Sequence, residues 1–133
     1  MRNMSFSLTT PQFLDGTKDV TRRKGWKFLK PGEHVMACEK CMGLKKGEKI
    51  KRLGEIEIVS VRREPLSAID PEDVPREGFP HLATTGFMKM FQDHMGGTAG
   101  QEVTRIEFRR IESRGSTTAR AALTGPRSLA SPS

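Results

Sequence analysis

Residues 16–23, Gly-Thr-Lys-Asp-Val-Thr-Arg-Arg, place a glycine turn ahead of a lysine, a hydroxyl and two guanidiniums on one short segment. Such a cluster suits an anion. Lys18, Arg22 and Arg23 supply charge and forked donors for phosphate, and Thr21 offers a hydrogen-bonding hydroxyl or a weak nucleophile that needs a neighbouring base. The same run also reads as a solvated basic strand. In a regular strand Lys18, Val20 and Arg22 share one face and Asp19, Thr21 and Arg23 the other, so Lys18 and Thr21 converge only if the chain bends. The turn at Gly16 provides a place for that bend.

Three further features carry possible chemistry. Arg76-Glu77-Gly78-Phe79 joins a carboxylate to a glycine and an aromatic anchor, although Glu77 also reads as a helix-end glutamate facing water. Trp26, inside the basic stretch 22–27, is placed either to stack on a base or to pack in the core. Cys38 and Cys41, with His34 four residues ahead, have the beginning of a zinc spacing, but no second pair completes four ligands, so they read as reduced thiols and no metal or other cofactor is expected.

These residues need elements to hold them. Met4, Phe6 and Leu8 alternate with small polar residues and predict a strand over 3–9. Thr10-Pro11 opens and Gly16 closes a short helix around Phe13 and Leu14, and the chain leaves it extended over 17–23. Pro31-Gly32 turns into the strand HVMAC, followed by a polar hairpin or loop. Beyond Gly54, Ile56, Ile58, Val59 and Val61 predict a strand whose change of parity at Ile58-Val59 marks a bulge or burial of both faces. Prolines 65, 71, 75 and 80 limit 64–82 to helical turns and loop. Phe87, Phe91 and Met95 mark an amphipathic helix running from Thr84 or Thr85 to Gly96-Gly97, and 103–111 forms the last strand.

At 133 residues the chain can close one core, and a net charge of +7 suits a polyanionic partner, as it also suits simple solubility. Neither a disulfide framework nor a signal peptide nor a membrane span is legible, which points to a cytoplasmic protein. Strands dominate, so the expected architecture is α+β: a small closed or half-closed β-barrel over 1–112 with one or two short helices packed on it, and a disordered tail over 113–133.

The arrangement Gly16-x-Lys18-x-x-x-x-Arg23 after an N-terminal strand and short helix resembles the motif of ASCH domains, relatives of the PUA RNA-binding barrels. The order of the later elements extends the resemblance over residues 4–111. It implies a PUA-like barrel with a cleft beside the motif that accepts RNA or a modified nucleoside. In one bacterial branch it implies an amidohydrolase that removes the acetyl group of N4-acetylcytidine with a lysine, a threonine and a later glutamate, matched here by Lys18, Thr21 and Glu77. Gly16, Arg22, Arg23, Lys24 and Trp26 are the corresponding binding candidates. Another branch is reported as ribonucleases, and a non-catalytic RNA-binding or protein-interaction adaptor is the alternative from a different class.

Overall fold

The structure is a computed structural model and describes residues 1–41 and 46–111. The expected tail at 113–133 lies outside the described residues, as does part of the loop after Cys41. Five strands form one mixed sheet in the order β1-β3-β4-β5-β2. They are β1 (Asn3–Ser5), β2 (Val20–Arg23), β3 (His34–Cys38), β4 (Arg52–Pro65) and β5 (Glu102–Arg110). β1 runs parallel to β3, and the other neighbours are antiparallel. The helices are α1 (Thr10–Leu14), α2 (Asp73–Arg76) and α3 (Thr84–Met95), with a single 3₁₀ turn at Leu66–Ala68.

The sheet does not close into a barrel: β1 and β2 are its two edges, and among the described residues no hydrogen bond joins them. The reason lies in β1, which was expected to run to residue 9. The Phe6 carbonyl accepts from Thr9 N at 3.0 Å and from Thr10 Oγ1 at 2.8 Å, which turns the chain into α1. A strand of three residues leaves too little edge to meet β2.

Elsewhere the local patterns hold. β3 occupies the HVMAC run, and the register of β4 against β5 shifts between Ile58 and Ser60, placing a bulge at Val59. The bulge turns Val59 out, 44% exposed, while Ile58 stays in the core at 1%. α3 runs from Thr84 to Met95, and Gly96 behind it takes a φ of 79°, which glycine adopts without strain as the chain leaves the helix.

The core has two parts. Met4, Phe6, Phe13, Val35, Ile56, Ile58, Ile106 and Phe108 fill one side of the sheet, with the Phe6 and Phe13 rings 4.9 Å apart. Leu66, Ile69, Val74 and Val103 pack with Phe87 and Phe91 of α3 to form the other. Phe6 of the first cluster and Phe79, Phe87 and Phe91 beside or within the second line one cavity, so a space is left where the two meet. No helix among the described residues is long and apolar enough to cross a membrane.

Candidate active site

Lys18 reaches its position through short-range constraints on both sides. Gly16, at φ 85°, turns the chain out of α1, and Lys18 N bonds Gln12 O at 3.1 Å. Immediately after it, Asp19 accepts two parallel bonds from Arg76 at 3.0 Å each, while Asp19 N bonds Arg76 O at 2.9 Å. This clamp fixes the end of α2 against the start of β2 and sets Glu77 opposite Lys18. Gln12 Nε2 also reaches Gly78 O, and Gly78, at φ 103°, has the Gln12 side chain only 3.0 Å from where a Cβ would stand. A side chain at 78 would be strained by the backbone and crowded against α1.

Lys18 Nζ donates to Glu77 O at 2.7 Å and to Glu77 Oε1 at 3.0 Å, and both side chains are 3% exposed. Glu77 is therefore not the solvent-facing helix end that its sequence context also allowed. Its other oxygen accepts from Arg22 Nη1 at 3.0 Å. Burial pushes the pKa of Lys18 below the usual lysine value; Glu77 opposes the shift, and the nearby Arg23 and Arg22 charges add to it. An amine that loses its proton here keeps two donors for the two Glu77 oxygens it already holds. Its lone pair is then the one valence left over.

Thr21 Oγ1 accepts from Arg23 Nε at 3.0 Å. The Arg23 guanidinium lies over the Phe6 ring at 4.9 Å, and among the described residues no carboxylate comes within ion-pair distance of it. Burial lowers its pKa to about 10, with Glu77 opposing. A half-buried guanidinium with free terminal donors is an incomplete arrangement, because desolvated charge is costly until an acceptor meets it.

Lys18, Thr21, Arg22, Arg23 and Glu77 line a common cavity of about 150 Å³ with Ser5–Thr9 and the Phe79, Phe87 and Phe91 rings. Lys18 and Thr21 do not sit on one regular strand, since the chain turns at Gly16 and enters β2 only at Val20. Lys18 lies before β2, and the bonds from Lys18 N to Gln12 O and from Asp19 N to Arg76 O set the course of the chain ahead of the strand, so that Lys18 and Thr21 both line the cavity.

The remaining candidates lie elsewhere. Gly16 serves the turn and is not part of the cavity wall. Lys24 is exposed, and its Nζ bonds Met95 O at 3.0 Å, at the end of α3. Trp26 packs its ring partly on the core under Arg2, in a separate open groove with Lys27 and Phe28. Arg22 lines the cavity but its side chain has no exposure and is held by Glu77, Asp73 and Glu64 at 3.0, 2.6 and 2.8 Å. The thiols of Cys38 and Cys41 are free, and no group of three metal-ligating side chains occurs among the described residues. Asp73 and Glu64 were missed from sequence. A signal existed for Asp73, which stands four residues before Glu77 on the same short helical segment.

Known structures match this architecture. An ASCH protein of Zymomonas mobilis superposes with a TM-score of 0.53 at 11% identity, covering 95% of this chain and 81% of its own. The fold is that of an ASCH domain. A protein of Enterococcus faecalis V583 from the family DUF984 superposes with a TM-score of 0.56 at 12% identity, over 79% of this chain and 71% of its own. No family model matches the sequence, and no curated protein matches it. At these identities the likeness to other ASCH folds is one of backbone architecture, and the chemistry rests on the side chains described above.

Proposed function

We propose that the cavity binds the base of a pyrimidine nucleoside and that Lys18, Thr21 and Glu77 hydrolyse an acyl amide on its exocyclic amine, as in N4-acetylcytidine. The observation that carries this reading is the convergence of a buried lysine, a hydroxyl and a carboxylate on one small cavity that also contains the Arg23 guanidinium, which has no carboxylate partner among the described residues. A surface built only to grip a phosphate backbone needs none of that convergence. The aromatic walls suit a flat ring, and the free donors of Arg23 suit an acceptor on its edge.

In the reaction, neutral Lys18 takes the proton of the Thr21 hydroxyl, or of a water beside it, as the oxygen attacks the acyl carbonyl carbon. The C–N bond then breaks, its electron pair stays on the amine nitrogen, and the proton passes to that nitrogen from Lys18, with Glu77 Oε1 as the carrier. When Thr21 is the nucleophile, water releases the acyl group in a second step with the same base. The net change is amide plus water to carboxylic acid plus amine.

Chromatography of N4-acetylcytidine incubated with purified protein tests this reading. Wild type is expected to release cytidine and acetate, Thr21→Ala to lose turnover, and Thr21→Ser to keep part of it. Normal turnover by Thr21→Ala would make water the attacking group. A wild type that binds RNA tightly and leaves every acylated nucleoside intact would remove the hydrolase and leave an RNA-binding module.

A further inference from the structure

Arg22 and Arg105 are direct cross-strand partners on β2 and β5. Like charges in that relation destabilise a sheet unless something bridges them. Asp73 is the bridge: its Oδ2 accepts from Arg22 Nη2 at 2.6 Å and from Arg105 Nε at 2.7 Å, and its Oδ1 accepts from Arg105 Nη2 at 3.0 Å. Thus anchored, Arg22 extends Nη1 to Glu77 Oε2, and Glu77 presents its other oxygen to Lys18. Arg22 Nε is buried without a hydrogen-bond partner in the protein, so the guanidinium is oriented to serve its carboxylates at the expense of its own third edge.

We propose that Asp73, acting through Arg22, is a positioning residue that fixes the Glu77 carboxylate and sets the charge balance under which Lys18 gives up its proton. The proposal deepens the hydrolase reading and rests on it for the consequence in turnover. Its electrostatic half stands alone. The charged or titratable groups facing Lys18 are Glu77 after α2, Arg22 and Arg23 on β2, and His94 of α3 across the cavity; the Ser5–Thr9 wall contributes none. Asp73, Glu64 and Arg105 act on it through Arg22.

The relay can be cut without stranding a carboxylate. When Arg22 is replaced by Gln, Glu77 keeps Lys18, Asp73 keeps Arg105 and Glu64 keeps Arg62. Removing that cation favours protonated Lys18, so its titration moves to higher pH. Replacing Asp73 with Asn leaves the Arg22 charge less compensated, and the Lys18 titration moves to lower pH.

The experiment follows Lys18 by ¹³C NMR in lysine-labelled wild type, Arg22→Gln, Asp73→Asn and Arg22→Lys, alongside the pH profile of kcat. Opposite shifts in Arg22→Gln and Asp73→Asn are expected, with Arg22→Lys returning the titration towards wild type. In kcat, Arg22→Gln is expected to lose about 10- to 100-fold with KM little changed, less than or equal to the roughly 10²–10⁴ of removing a proton-transfer partner outright. Unchanged Lys18 titrations, or shifts of the same sign in Arg22→Gln and Asp73→Asn, would overturn the proposal. Opposite NMR shifts in a protein that hydrolyses nothing would uphold the electrostatic half and place the failure in the hydrolase reading.

Discussion

Replacing Glu77 with Gln should cost stability as well as any chemistry. The substitution keeps the shape of the side chain but removes the negative charge between Lys18, 3% exposed, and Arg22, fully covered. Breaking a buried pair from one side costs about 3–5 kcal/mol, because the partner's charge stays buried and uncompensated. A domain of this size has roughly 5–15 kcal/mol in total, and each kcal/mol shifts Tm by about 4–8 °C, so a fall of more than about 10 °C is expected. Lys18→Met should be milder, since Glu77 then retains Arg22. The double variant should recover part of the loss, giving a coupling of about 1–3 kcal/mol in a urea-denaturation cycle. A Glu77→Gln cost below about 1 kcal/mol, or strictly additive single effects, would refute the buried pair and the positioning built on it.

Three other outcomes follow from particular residues. Ile58→Ala should cost about 2–5 kcal/mol in urea denaturation, whereas Val59→Thr, at the exposed bulge, should stay within about 0.5 kcal/mol. Hydrogen bonds from Arg105, and then from Arg22, outweigh burial and hold Asp73 below the usual carboxylate range; burial also opposes ionisation of Glu64, but bonds from Arg62 and Arg22 prevail there too. The stability these two confer is complete above the unfolded carboxylate range near pH 4 and is lost only as pH falls below it, so Asp73→Asn should flatten the acid limb of a stability-against-pH curve. For single-stranded RNA, Lys24→Gln with Lys27→Gln should reduce the salt dependence of binding by about one to two units of slope, and Arg22→Gln should leave it unchanged, because the Arg22 side chain does not reach the surface.

Sequence patterns revealed those parts of the fold that depend on neighbours in the chain. HVMAC is apolar enough to be read as a strand by itself, the parity change at Ile58-Val59 is a local mark of the bulge, and the spacing from Phe87 to Met95 ends at a glycine that stops the helix. The strand at 3–9 failed because Phe6 and Leu8 continue the alternation past the point where the Phe6 carbonyl is captured by Thr9 and Thr10. Alternation states which side chains share a face and is silent on whether two edges meet, so the open sheet was hidden.

In the candidate site, the run 16–23 already holds Lys18, Thr21 and Arg23, which the structure brings to one cavity, but the surroundings of Arg22 depended on Asp73, 51 residues away, and on Arg105 across the sheet. Nothing in a basic run tells a phosphate-facing arginine from one buried among carboxylates. That distinction arises only when α2 docks against β2 through Asp19 and Arg76.

The most direct measurement is a crystal structure of the Thr21→Ala protein soaked with N4-acetylcytidine. The base should lie in the cavity beneath Phe79, Phe87 and Phe91, with an acceptor on the Arg23 donors and the acyl carbon facing residue 21 and Lys18. A nucleoside found outside the cavity, on the groove at Trp26 and Phe28 or on the exposed lysines, with the Lys18–Glu77 pair untouched, would contradict it.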